Sequence, residues 1–194
     1  MNMRYFLFLL YVLLISACTT QAPLPTDHYY RLPELTGITA AEKQFDSISV
    51  ITFQADGLYK ERALVYTKDG IELNQYHYHH WVDSPTRLLQ ERLAEKLRLN
   101  KFANIVLTTF DGNSELVVRG KIKSFEKVSN ENENIHVKLI LQVNSSSDQL
   151  PVLHKEYIKV VAIESESMIS SVKAYAEAVD SIFNEFYADL IEII

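Results

Sequence analysis

Three histidines crowd the segment Tyr76-His-Tyr-His-His-Trp81. On an extended strand His77 and His79 point to one face about 7 Å apart, so the pair could share a metal ion. Asp83 is a third ligand by nearness. Zinc takes three or four ligands in tetrahedral geometry, no fourth candidate is visible in the sequence, and no His-Glu-x-x-His pair occurs. The plainer reading is an aromatic-rich strand whose imidazoles bond to neighbours. Serine, histidine and aspartate are present, but nothing in the sequence places a triad together. The five glycines, at 37, 57, 70, 112 and 120, lie too far apart for a nucleophile elbow, a dinucleotide loop or a phosphate loop. We therefore expect no enzyme, no catalytic residue and no metal.

The single cysteine, Cys18, excludes an intrachain disulfide and a multi-cysteine zinc site. Arg4 is the only charge before it, and Tyr5 to Ile15 is an unbroken apolar run. Spanning a bilayer takes about 20 residues, so this run is too short. A basic start, an apolar core and the small residues Ser16 and Ala17 describe a secretory signal. A thiol directly after them can accept a diacylglycerol. Ile15-Ser-Ala-Cys18 resembles a bacterial lipobox, with Ile where Leu is commoner. Residues 1–17 are thus expected to be a lipoprotein signal peptide, with Cys18 as the site of lipid attachment. No cofactor is expected; the covalent lipid on Cys18 is an attachment.

Charge agrees with this. Lys+Arg total 19 against Asp+Glu 25, a net −6. An acidic body neither neutralises phosphates nor clings to anionic lipid, so no nucleic-acid partner is expected and acyl chains must hold the membrane. Each buried CH₂ contributes about 0.8 kcal/mol. Thr19 and Thr20, rather than Asp, follow the cysteine. That points to the outer membrane, with the protein facing the periplasm.

Residues 18–27 read as an extended linker, with Pro23 and Pro25 favouring about 3 Å per residue. One domain follows, residues 28–194. Strands are expected at His28–Leu32, Ser47–Phe53, Ala63–Thr67 and, after an Asp69-Gly70 turn, Ile71–His80. Asp83-Ser84-Pro85 starts a helix: Ser84 can cap free N–H groups and Pro85 suits the first helical position. Leu88, Leu89, Leu93 and Leu97 carry it to about Leu99. Phe102–Thr108 reads as a strand. A three-strand meander follows, from Leu116, over Ile135–Val143 and over Val152–Ile163. A closing amphipathic helix buries Val172, Tyr175, Val179, Ile182, Phe183, Phe186 and Leu190. It turns Lys173, Glu177, Asp180, Glu185 and Asp189 outward. The fold class is α+β: a single domain with a mainly antiparallel sheet and two main helices packed on one face. The order strands, helix, strands, helix hints at two similar β-rich halves.

Several stretches together carry a resemblance. Tyr29-Tyr30-Arg31-Leu32 follows the linker, then come Leu58-Tyr59, Arg62 and Leu64-Val65-Tyr66. The most specific part is Tyr76-x-x-His79-x-Trp81-Val82-Asp83-Ser84-Pro85-x-Arg87-Leu88-Leu89-Gln90. Over most of residues 28–190 the chain resembles the ABC-type transport auxiliary lipoproteins. This is the PqiC-like family that accompanies MCE (mammalian cell entry) lipid-transport proteins. The resemblance implies a non-enzymatic accessory component of an MCE/ABC-type intermembrane lipid transport system, docked on the periplasmic MCE assembly. MCE proteins form rings, so it also implies a homo-oligomer. Tyr59, Tyr66, His79, Trp81, Asp83, Ser84, Pro85 and Arg87 are its motif residues, structural or partner-binding. On the residues alone, Trp81 packs at a strand-to-helix corner. Arg87, in the first helical turn, calls for a carboxylate partner, Asp83 or one on a neighbouring chain. Two other readings stand beside this one. The first is a periplasmic metal-binding or hydrolytic lipoprotein using His77 and His79. The second is a lipoprotein plugging an outer-membrane barrel.

Overall fold

In chain order the elements are β1 (His28–Tyr30), β2 (Phe45–Val50), β3 (Gln54–Ala55), a 3-10 turn (Gly57–Lys60), β4 (Ala63–Thr67) and β5 (Leu73–Trp81). Helix α1 (Pro85–Leu99) follows, then β6 (Ala103–Leu107), β7 (Leu116–Val128), β8 (Asn134–Ser145), β9 (Pro151–Ala162) and α2 (Met168–Glu192). The computed structural model describes residues 3–4, 24–35, 45–109, 112–129, 133–148 and 150–193. Cys18 and nearly all of the leader lie outside the described residues, as does most of the linker. No helix among the described residues is long and apolar enough to cross a membrane.

Strand β7 is the spine of the sheet. Along one edge it pairs antiparallel with β8, which pairs antiparallel with β9. Along the other edge it receives three strands in succession, all parallel: β2 at Leu116–Val118, β3 at Lys121–Ile122 and β4 at Glu126–Val128. β6 adds parallel to β2, β5 antiparallel to β4, and β1 parallel to β5. The meander is as expected. The sheet as a whole is mixed rather than mainly antiparallel. Alternation reveals a strand and a tight turn reveals a hairpin, but the parallel pairings join residues some fifty or more positions apart. No local pattern signals them.

The core lies between the sheet and both helices. On β8 every second residue, Ile135, Val137, Leu139, Leu141 and Val143, is fully buried beneath the helices, while the intervening residues face outward. All seven apolar residues expected to face inward from α2 are buried. Phe183 meets Phe53 edge-on, and Phe53 lies flat over Gly120, where a Cβ would stand 2.5 Å from the ring. That contact explains a glycine in mid-strand. It also explains why β2 stops at Val50 instead of running on to Phe53: the chain turns to put the ring into the core. Gly70 adopts φ +75° beside Asp69, whose carboxylate accepts from the Ile71 and Glu72 amides. Those bonds delay β5 to Leu73.

Two expectations are corrected. Ser84 is the N-cap of α1 by its extended backbone, but its hydroxyl pairs with Thr86 Oγ1 at 2.9 Å instead of capping an amide. The polar side of α2 is not simply solvated. Asp180 joins α1, while Glu185 and Asp189 hold Lys155 of β9.

Candidate functional site

Trp81, Asp83, Ser84, Pro85 and Arg87 lie together where β5 runs into α1. Trp81 is 1% exposed, with ring centroids 5.5 Å from Phe125 and 5.1 Å, edge-on, from Tyr175. Its amide donates to the Arg62 carbonyl at 2.7 Å and its own carbonyl accepts from Arg62 Nε. The strand end is therefore fixed from both faces and both polar groups. Asp83 then turns the chain. Its carboxylate accepts from the Ser84 amide and sits 3.3 Å from Arg87 Nε, one helical turn on. Asp83 is thus the carboxylate that Arg87 needs. The Ser84 carbonyl accepts the first helical amides, from Arg87 and Leu88, and Pro85 occupies the first helical position. Tyr59, on the 3-10 turn, is buried and donates to Glu126; burial and that carboxylate raise its pKa far above the phenolic value.

The remaining motif residues, Tyr66 and His79, line a half-buried rim. β4 and β5 pair regularly near Leu73, but Ala63 and Val65 of β4 match His80 and Gln75 of β5, so residues 76–79 arch out of the ladder. An arch breaks strict alternation. His77 lies exposed beside Tyr78, whereas His79 turns to a different group. It stacks on His28 at 5.3 Å, meets Tyr76 edge-on, and its Nδ1 lies 2.8 Å from the Tyr30 hydroxyl. Tyr66 packs on Tyr76 at 4.6 Å. Burial, then the neighbouring His28 and His80, hold the His79 pKa below its ordinary value. Asp83, the third residue weighed as a metal ligand, is taken up by Ser84 and Arg87. Among the described residues no three His, Cys, Asp or Glu side chains gather as a metal site.

The rim fastens β1. His80 Nε2 stands 3.4 Å from Asp27, the Arg62 guanidinium covers the Tyr29 ring at 5.3 Å, and the Val82 amide donates to the Tyr30 carbonyl. β1 follows directly on the linker, so the chain enters the domain at this edge.

Three polar residues of α1 carry more than the sequence reading gave them: Gln90, named only as the last residue of the motif stretch, and Arg92 and Lys96, not singled out at all. Gln90 is buried and its amide donates to the carbonyls of Val50 and Thr108, tying together the ends of β2 and β6. Arg92 is 6% exposed, grips Asp180 of α2 through two nitrogens at 2.6 Å, and donates a third bond to the Pro33 carbonyl. Lys96 donates to Asn184, and burial lowers its pKa. One signal was present: 92 and 96 flank the leucine stripe, and their partners 180 and 184 share the same four-residue spacing.

Comparisons with known proteins bear on this domain. The family model described as ABC-type transport auxiliary lipoprotein component matches residues 30–186. Among solved structures, protein XCC0632 from Xanthomonas campestris superposes with a TM-score of 0.71 at 16% identity, over 82% of this chain and 92% of that one. An uncharacterised protein superposes with a TM-score of 0.68 at 11% identity, over 85% of this chain and 99% of the other. At such identities the likeness is one of fold. A sequence search of curated proteins finds no match.

Proposed function

The chain belongs to the family of ABC-type transport auxiliary lipoprotein components, and from that premise we propose that it is a non-enzymatic accessory part of an MCE/ABC-type lipid transport system. Acyl chains on Cys18 hold it at the outer membrane, and its domain docks on the periplasmic MCE-domain protein. A homo-oligomer that matches a ring-shaped partner completes the proposal.

The observation that carries it is the extent of the family match. It begins at the last residue of β1 and ends at Phe186 of α2, so it takes in β2 to β9 whole and the greater part of the closing helix. The shared motif also lies where a fold needs it, at the corner made by Trp81, Asp83 and Pro85. That is consistent with a rigid docking body in which the family resemblance preserves shape.

Two measurements test this. Cross-linking in intact cells followed by purification should recover an MCE-domain protein; recovery of an outer-membrane barrel in its place overturns the partner. Cys18→Ser should move the chain from the membrane to the soluble fraction, with its thermal unfolding unchanged. Retention of that variant on membranes after a carbonate wash overturns the anchor.

A further inference from the structure

The helices cover one face of the β7–β8–β9 meander; on the other the register sets side chains in rows. Arg119, Gln142 and His154 share the first row, Lys121, Ile140 and Glu156 the second, and Lys138 and Ile158 the third. β2 leaves β7 with a last bond from the Ile51 amide to the Val118 carbonyl, and β3 rejoins only at Lys121. The gap leaves a hollow of about 340 Å³ over the first two rows, floored by Ile51 and Ile140 and edged by Arg119, Lys121 and His154.

The charge here opposes that of the whole molecule. The chain carries a net −6, yet Arg119 and Lys121 stand side by side on one strand, with Lys123 and Lys138 beyond. Arg119 donates one N–H to Asn144 and makes no ion pair among the described residues. Lys121 is held by Asp56, a carboxylate 73% exposed, and an ion pair that open to water is easily exchanged for another anion. Glu156 is the one carboxylate in these rows, across the strand from Ile140. From Ile140 an apolar track continues to Ile158 and Val160, 52% and 55% exposed, with rows about 7 Å apart. A small inorganic anion has no use for that track, and an apolar molecule has none for the cations. Exposed apolar side chains next to a cationic hollow suit a ligand that is both.

We propose that this hollow binds the anionic head of an amphiphile, a phosphate or carboxylate between Arg119 and Lys121, with its apolar chain laid over Ile140, Ile158 and Val160. The site is argued from the sheet's own side chains and stands whether or not the transport role does. Titration calorimetry on the Cys18→Ser chain tests it with three probes: dodecyl phosphate below its micelle concentration, dodecanol and inorganic phosphate. Dodecyl phosphate should bind saturably at one site, with dodecanol and inorganic phosphate each at least about tenfold weaker. Arg119→Gln with Lys121→Gln should weaken dodecyl phosphate by about tenfold or more, since charge-assisted bonds are the strong ones. Ile158→Ser should weaken it without altering the response to inorganic phosphate. These residues are on the surface, and an unchanged thermal midpoint shows that the variants fold. Inorganic phosphate binding as tightly as dodecyl phosphate would mark a free-anion site and overturn the amphiphile. Equal affinity of the double variant, or equal binding of dodecanol, would overturn the role of the cations.

Discussion

At Trp81 strand β5 ends inside the core; at His79, two residues earlier, the same strand pairs with the short edge strand β1. Trp81 is enclosed by Phe125, Tyr175 and Arg62. His79 touches His28, Tyr30 and Tyr76, of which His28 and Tyr30 belong to a three-residue edge strand. Nothing in the composition of the segment separates the two positions. What separates them is the arch at residues 76–79, which spends three extra residues of β5 against β4. The corner is built from contacts among long elements; the rim is built from aromatic and imidazole side chains around a short one. Stability should therefore concentrate at the corner and local opening at the rim.

The sharpest way to break this contrast is Trp81→Ala. It empties a fully buried indole site and should cost about 3–5 kcal/mol in urea unfolding of the Cys18→Ser chain. A loss below about 1 kcal/mol would put Trp81 on a par with the rim. Next is Asp180→Ala, which strands the buried Arg92 guanidinium. We expect a loss of about 3 kcal/mol, with at least half recovered when Arg92→Met removes the orphaned charge. An additive double variant would show that the pair does not join the helices.

The rim should answer to pH rather than to truncation. His79 has its pKa lowered by burial and by its imidazole neighbours, so the proton binds more readily when β1 is undocked. Docking is then intact above the ordinary value near 6.5 and weakens as pH falls through it. Amide-exchange protection at Tyr30 and Val82 should drop between about pH 7.5 and about pH 5, while β8 amides keep theirs. His79→Phe should flatten that dependence; a dependence that survives the substitution points to another group. The smallest effect belongs to Arg87→Ala. Its pair with Asp83 is exposed, and the thermal midpoint should move by no more than about 0.5 kcal/mol allows. A larger shift would draw Arg87 into the corner proper.

Much of this was legible in the amino acids. Pro85 marks the first residue of α1, Ala63–Thr67 is bounded as read, and the alternation of Ile135 to Val143 gives both a strand and its buried face. These features are written in nearest neighbours. The parallel run of β2, β3 and β4 along β7 is not, because its partners are remote and its registers are interrupted by Phe53 and the 3-10 turn. The arch hid in the same way: His77 and His79 look alike on an ideal strand, and only the mismatch with β4 parts them. Asp180 and Asp189 read as solvent-facing because helix periodicity shows which side is polar, not what stands opposite. For the candidate site, the corner was foreseen from Trp81 and Pro85. Gln90 and Arg92 were not, since a polar residue beside an apolar stripe shows its burial only when its partner, 40 or 88 positions away, is in place.

The short strand β1 also has a mechanical meaning. On the proposed acylation of Cys18, a contour of roughly 30 Å would separate the acyl chains from Asp27. A pull that slips β1 off β5 lengthens the leash to roughly 50 Å. The load then falls on Pro33, whose carbonyl Arg92 holds against α1. On that proposal the domain would hold its tether in two stages, a yielding first catch at the rim and a firmer second one rooted in the helices.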